Sequence, residues 1–512
     1  MTTAKLCIIL AIVVYLAIMI CVGVYYSRKG SGATSHEFYL GGRKLGPLVA
    51  AMSAEASDMS SWLLMGLPGV AYLTGVAEAS WTLIGLAVGT YFNWLITAKR
   101  LRNYSAHIGA ITIPDFFSRR FRDERKVLSC IAAIIILIFF SPYTASGFKA
   151  IGTLFNSLFG VNYHGAMIVG ALVVIGYTVL GGFLAVSTTD LIQSIVMTFA
   201  LVFIVLFAVS LAGGWDTVMT NASALPGYLD VTMGYDPSTG QAGSYPFLTI
   251  VSTLAWGLGY FGMPHILLRF MAIQDSKKLK VSRRIATVWV VISMAVAVLI
   301  GIIGYSVSKA GIIPFLPTSA EAETVIIRLA DVLSTYGVFF AVIAGVVMAG
   351  ILACTMSTAD SQLLTAASGV SQDLVQDFFR VRLSQKASMT AARLTVVGIA
   401  IVGMILAWNP NSSVFRIVSF AWAGFGAAFG PVMILSLFWK RMNRPGALAG
   451  MIAGGAMVFI WKFLIAPMGG TFAIYELLPA FLISLVVMLV VSLTTAPPAK
   501  EIVEEFEAVG KL

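Results

Sequence analysis

Six carboxylates lie within or beside long apolar runs of this chain: Glu55, Asp58, Glu78, Asp190, Asp360 and Glu476. A charge at bilayer depth costs about 3 kcal/mol or more, so such acids face a protein interior or a water-filled path. Glu55 and Asp58 belong to Ala51-Met-Ser-Ala-Glu-Ala-Ser-Asp-Met-Ser-Ser-Trp62, a stretch of small and hydroxyl residues in the middle of an apolar run, followed by Gly66, Pro68 and Gly69. It reads as a helix that unwinds briefly and offers its freed backbone groups to an ion or a small solute. Tight small-residue packing accounts for its alanines and serines but not for its two acids.

A second interruption is Trp256-Gly-Leu-Gly-Tyr260-Phe-Gly-Met-Pro264, with three glycines and a proline in nine residues. That composition breaks a helix, and Trp256 and Tyr260 share a face if the turn is helical. A third segment, Ala353-Cys354-Thr355-Met356-Ser357-Thr358-Ala359-Asp360-Ser361, sets Ser357, Asp360 and Ser361 on one helical face. Hydroxyls with backbone carbonyls suit a small hard cation. Asp190 and Asp360, with Ser361, are candidates to line an ion path. Ser and Thr in membrane helices also bond back to their own carbonyls, which is the competing reading.

These segments need long apolar elements to position them. Of 512 residues 59% are apolar and 11% charged, with a mean hydropathy of +0.91. No soluble core hides that much apolar surface, which excludes a soluble enzyme, a disordered chain and a disulfide scaffold. Thirteen runs are long enough to span: 6–26, 46–72, 80–97, 127–150, 163–186, 190–213, 245–268, 285–307, 338–368, 391–408, 413–438, 446–466 and 474–494. The first is too long for a signal-peptide core. With the N-terminus outside, 27 of the 33 Lys and Arg, from Arg28 and Lys29 to Lys500 and Lys511, fall in inner loops. Arg269 counts among those 27, and Lys149 among the six outer ones. Asp190 is placed at the inner end of span 5. The broken runs are spans 2 and 7, five apart. That implies two five-helix repeats of opposite orientation, about 46–213 and 245–438, within one membrane domain, 1–494, followed by a short cytoplasmic tail, 495–512. Outer residues 308–337 carry a helical stretch from Glu321 to Ser334.

Other features carry less. The net charge of +10 is spread over short loop clusters, unlike a nucleic-acid-binding face. Cys7, Cys21, Cys130 and Cys354 lie in apolar runs, and His36, His107, His164 and His265 have no metal spacing. No phosphate-binding Walker loop occurs, which argues against ATP-driven transport. Trp422-Ala-Gly-Phe-Gly-Ala-Ala-Phe-Gly430 reads as a small-residue packing face.

At Ser57-Asp-Met-Ser-Ser-Trp-Leu-Leu-Met-Gly-Leu-Pro-Gly69, Gly181-Gly-Phe-Leu-Ala-Val-Ser187, Trp256-Gly-Leu-Gly-Tyr-Phe-Gly262, Met356-Ser-Thr358 and Ala421-Trp-Ala-Gly-Phe-Gly-Ala-Ala-Phe-Gly-Pro431 the chain resembles the sodium/solute symporter family, and within it the proline carriers. The resemblance implies an all-α polytopic fold of the LeuT type, 5+5 inverted repeats in a thirteen-helix protein of a bacterial cytoplasmic membrane, and sodium-driven uptake of L-proline. Sodium would be held by carbonyls of Ala56, Met59 and Cys354 and hydroxyls of Ser357 and Thr358. Asp58 and Ser60 would couple ion to substrate. Trp62, Tyr143, Trp256, Tyr260 and Pro264 would wall the substrate pocket. Sodium is the co-transported ion; no organic cofactor, nucleic acid or obligate protein partner is implied, and membrane lipid surrounds the chain. Three positions depart from the proline carriers: Ser61 where Gly is common, Asp360 where Ser is common, and Cys354 for Ala. Symport of another amino acid, carboxylate or sugar, or coupling to protons through Asp58 or Asp190, is the alternative; a sensor or channel fits less well.

Overall fold

The structure, a computed structural model, describes residues 2–29, 35–180 and 182–510. Gly181 of the matching stretches and Lys511 of the basic count lie outside the described residues, as do the side chains of Lys29 and His36.

The chain is a bundle of helices in which two spans are broken. Helix α1 (Thr3–Lys29) precedes the first broken span, α2 (Pro47–Asp58) and α3 (Trp62–Thr74). Next come α4 (Val76–Phe92), the short α5 (Ala98–His107) and α6 (Ile113–Arg120), then α7 (Val127–Phe159), α8 (Tyr163–Leu180) and α9 (Phe183–Leu211). A two-stranded antiparallel hairpin, β1 (Met233–Asp236) and β2 (Gln241–Ser244), pairs Met233 with Ser244. The second broken span is α10 (Phe247–Leu254), a tight turn over Ala255–Gly262, and α11 (Pro264–Ala272), bent by 47° at the break. The remainder is α12 (Leu279–Lys309), α13 (Val325–Leu333), α14 (Val338–Ser368), α15 (Gln385–Leu406), α16 (Val414–Phe438), α17 (Arg444–Ile460), α18 (Leu477–Thr494) and α19 (Lys500–Gly510).

Among the described residues nine helices are long and apolar enough to cross a membrane, or ten when the bent pair is one span. The expected run 163–186 stops at Leu180 because Gly182 adopts an extended conformation and α9 starts at Phe183. Apolar composition continues across that turn, so composition alone does not mark it. Asp190 therefore stands in the second turn of α9, fully buried, and not at the end of the preceding span. The stretch expected from Glu321 to Ser334 begins one turn earlier, with Thr318 and Glu321 capping each other's backbone, and α13 follows after a kink at Glu323–Thr324.

Both breaks have local causes. Pro47 starts α2 at a position where its missing N–H costs nothing. At the far end Met59 leaves helical geometry (φ −74°, ψ 69°), and the Ser60 N–H bonds to Asp58 O at 2.8 Å instead of reaching back to Ala56 O. Pro264 likewise opens α11 after an extended Met263. In the turn between α10 and α11, a side chain on Gly259 would overlap the Trp422 indole. Only glycine lets the second break lie against α16.

The C-terminal segment is not a free tail. Helix α19 lies on the Lys/Arg-rich end of the bundle, with Phe506 packed between the guanidinium groups of Arg100 (4.7 Å) and Arg120 (5.0 Å). Glu501 and Glu505 pair with Arg122, and Glu507 with Lys440.

Candidate functional site

The displaced Ser60 N–H leaves Ala56 O without its helical donor, and α14 supplies a replacement. Ser357 Oγ donates to Ala56 O at 2.7 Å and lies 3.2 Å from Cys354 O, while Thr358 Oγ1 donates to the same Cys354 O at 3.1 Å. Two carbonyls and two hydroxyls from α2 and α14 thus form one connected, buried oxygen cluster. Met59, the fifth expected ligand, is fully buried at the break itself. These neutral hard oxygens suit a small monovalent cation. To receive one, both hydroxyls need only rotate their protons away and turn lone pairs inward.

Next to this cluster, on the α3 side of the break, stands a buried aromatic wall. Trp62 and Trp256 have ring centroids 5.9 Å apart, and Phe415 packs 5.5 Å from Trp256. Tyr475 stacks on Trp256 at 5.2 Å, and Trp422 donates its indole N–H to Trp256 O. Tyr260 meets Trp422 edge-on at 5.1 Å. The Ala255–Gly262 turn is tighter than an α-helix, so Trp256 and Tyr260 do not share one face, yet both rings lie near Trp422, at 6.1 and 5.1 Å.

Asp58 joins the two halves. Tyr260 donates to its Oδ2 at 2.6 Å and Tyr143 to its backbone O at 3.1 Å. Its Oδ1 is buried with no hydrogen-bond partner. Ser60 Oγ accepts weakly from Trp62 N–H, and Pro264 is buried at the start of α11. Glu55, one turn earlier, accepts from the Trp94 indole at 2.9 Å.

One helical turn beyond the oxygen cluster, toward the basic end, lies a charged knot. Arg269 donates to Asp190 Oδ2 (3.1 Å), Ser53 Oγ (3.0 Å) and Ser361 Oγ, and Ser53 Oγ donates to Asp190 Oδ2 at 2.6 Å. Asp360 adjoins it through Ser361 Oγ at 3.4 Å. The three expected path residues are thus brought together, through an arginine that sequence reasoning had assigned to an inner loop. Arg269 is instead 1% exposed on α11. Hydropathy reads the charge and cannot see its partner.

The opposite end holds a matching pair. Lys149, expected in an outer loop, is fully buried in α7, 3.4 Å from Glu323. Glu323 also accepts from Ser413 Oγ (2.6 Å) and from the Val414 (2.9 Å) and Phe415 (3.0 Å) N–H groups that begin α16. Sequence reasoning missed Glu323, Phe415 and Tyr475 and read Trp422 as packing alone. Trp422 and Glu323 lie in segments noted for other reasons; Phe415 and Tyr475 carry no signal. Outside the spans, burial lowers the pKa of the Arg43 guanidinium to about 10. Arg43 stays charged there, bonded to the carbonyls of Met271 (2.6 Å), Ser105 (3.0 Å) and Ala110 (2.7 Å) just before α2.

The sequence profile of the sodium:solute symporter family matches residues 38–454. The chain belongs to that family. Relatives include the osmoregulated proline transporter OpuE of Bacillus subtilis, 41% identical over 99% of this chain and 98% of its own. The high-affinity proline transporter PutP of the same organism is 43% identical over 95% and 98%, and a sodium/proline symporter of Staphylococcus aureus 40% over 95% and 92%. Among solved structures, a sodium-coupled sialic acid symporter in a substrate-bound outward-open state superposes with a TM-score of 0.77 at 18% identity, covering 96% of this chain and 99% of that one. The nucleobase-cation symporter Mhp1 in a closed conformation follows at 0.55 and 15%, covering 92% and 98%. The fold of this symporter-family chain is therefore the LeuT-type transporter fold, and the chain is a multi-pass membrane protein.

Proposed function

We propose that this protein couples sodium entry to L-proline uptake across the cytoplasmic membrane by alternating access, with thirteen spans, its N-terminus outside and its basic end in the cytoplasm. The observation that carries the reading is the Ala56–Ser357 link, because it joins the broken helix to α14 through groups that an ion can take over. Sodium bound by Ala56, Met59, Cys354, Ser357 and Thr358 draws α2 to α14 and fixes the break. The fixed break sets Asp58, Ser60 and Trp62 for the substrate. The apolar pyrrolidine ring suits the Trp62–Trp256–Tyr143–Tyr260–Pro264 wall, and Asp58 Oδ1 is an acceptor for its ammonium. Because one break serves both ligands, each must tighten the other by the same factor. The inward-negative potential adds about 2.3 kcal/mol per charge at 100 mV. Release toward the basic end passes the Asp190–Arg269–Ser361 knot and Asp360.

The relatives named as proline transporters support the substrate. The test is labelled proline uptake into sealed vesicles with and without an imposed sodium gradient. Uptake must follow the gradient and be competed by excess unlabelled proline. Uptake that survives replacement of sodium by choline refutes sodium coupling, and competition by another solute but not by proline refutes the substrate.

A further inference from the structure

Outside the transport path, α9 and α12 part to leave an apolar groove of about 490 Å³ on the face of the bundle, floored by Met52 of α2. Thr198 and Leu201 line one side and Trp289 and Val296 the other, while Arg284 closes the end near the start of α12. Val288 and Ile292 on its rim are 58% and 55% exposed, so the groove opens to the surrounding hydrocarbon. Arg284 is exposed and makes no ion pair or hydrogen bond with the described residues. We propose that this groove binds one acyl chain of an anionic phospholipid of the cytoplasmic leaflet, with the lipid phosphate held by Arg284.

Length and charge both favour that occupant. From Arg284 to Val296 is twelve residues of helix, about 18 Å, close to the ~15 Å that one leaflet contributes to a hydrocarbon core. A chain whose headgroup sits at Arg284 therefore ends near the midplane, where the groove ends. Arg284 is a planar donor fork free to take two phosphate oxygens, and the Lys/Arg excess at this end of the bundle places it on the cytoplasmic side. The polar side chains of the groove wall are already satisfied, Trp289 Nε1 donating to Thr198 Oγ1 at 2.8 Å and Ser293 Oγ to Val290 O at 3.2 Å, so the interior asks for hydrocarbon. The seated chain would touch Met52, four residues before the Ala56 carbonyl on the same helix.

The test reconstitutes the full chain in vesicles of phosphatidylcholine and phosphatidylglycerol, one of them brominated on its acyl chains. Quenching of Trp289 is taken as the difference between the wild-type protein and Trp289→Phe. Brominated phosphatidylglycerol should half-quench that component at a mole fraction about fivefold lower than brominated phosphatidylcholine, from ~1 kcal/mol per basic residue near the surface. Arg284→Gln should abolish the preference and Arg284→Lys should keep most of it. Arg283→Gln should leave it unchanged, because Arg283 lies over the Tyr91 ring and does not line the groove. Equal quenching by the two lipids in the wild-type protein overturns the proposal. So does a loss in Arg283→Gln as large as in Arg284→Gln, which would mean a diffuse basic collar and no site.

Discussion

Replacing either member of the Lys149–Glu323 pair should destabilise the protein, and by very different amounts. In Lys149→Met, Glu323 keeps three donors: the Ser413 hydroxyl and two N–H groups at the positive end of α16. The lost contact is one long charged hydrogen bond of 3.4 Å, worth about 1.5 kcal/mol net. In Glu323→Gln the ammonium of Lys149 stays fully buried with no countercharge, and a stranded buried charge costs about 3–5 kcal/mol. The expected melting order of the purified full-length protein, followed by tryptophan fluorescence in detergent, is wild type above Lys149→Met above Glu323→Gln. The double variant should melt above Glu323→Gln alone, since removing the lysine removes the stranded charge. A double variant that melts as low as the sum of the two single losses would show that the pair is not coupled, and the reasoning about this end of the bundle would fail.

The same logic extends to the rest of the site. Ser357→Ala removes the hydroxyl shared by Ala56 and Cys354 and should raise half-saturating sodium for uptake about 10- to 100-fold, the range of one hydrogen bond to a charged group; an unchanged sodium curve speaks against the cluster as the ion site. Arg269→Gln strands Asp190 beside Ser53 and should lower melting sharply, and Asp190→Asn in the same chain should recover it; a double variant no better than the single one refutes the pairing. Phe506→Ala removes the ring between Arg100 and Arg120, each contact worth about 0.5–2 kcal/mol. Amide exchange over residues 500–510 should then rise, while exchange in α14 stays as it was; unchanged protection of 500–510 would show that the ion pairs of Arg122 and Lys440 hold α19 without the ring.

What the sequence made legible was whatever departs from lipid-facing composition. Glu55 and Asp58 are costly at membrane depth, and the run of Gly257, Gly259 and Gly262 before Pro264 breaks a helix, so both breaks are marked in the sequence itself. The oxygen cluster was readable only in part: polarity inside an apolar run singles out Ser357, whereas Thr358 and the carbonyls of Ala56 and Cys354 follow from the resemblance to the family and not from spacing. Pairings across helices were not readable. Arg269 looks like a loop charge and Lys149 like an outer one, because hydropathy is blind to a partner 79 or 174 residues away. Tyr475 and Phe415 look like ordinary apolar filling and become part of the aromatic wall only once α16 and the segment before α18 close over Trp256. The docking of α19 was hidden too, since Phe506 and the acids around it gain meaning only from Arg100, Arg120, Arg122 and Lys440.

The two buried ion pairs also explain how a bundle with so apolar an interior can open at either end. Under alternating access each end must separate and admit water in turn. An apolar seam loses about 25 cal/mol for every Å² it exposes, so a path sealed only by aliphatic side chains costs free energy to open in proportion to its area. A buried ion pair behaves otherwise: its attraction when closed roughly balances the hydration its charges regain when open. Lys149–Glu323 at one end and Arg269–Asp190 at the other are each nearly fully buried; the first ties α7 to the kink before α13 and the second ties α11 of the broken span to α9. They hold register while closed and give most of that energy back to water on opening. In the proposed mechanism the remaining bias falls to the ligands: sodium taken up at the Ala56–Ser357 link between the two pairs would shift the equilibrium only by what it binds more tightly in one state than in the other.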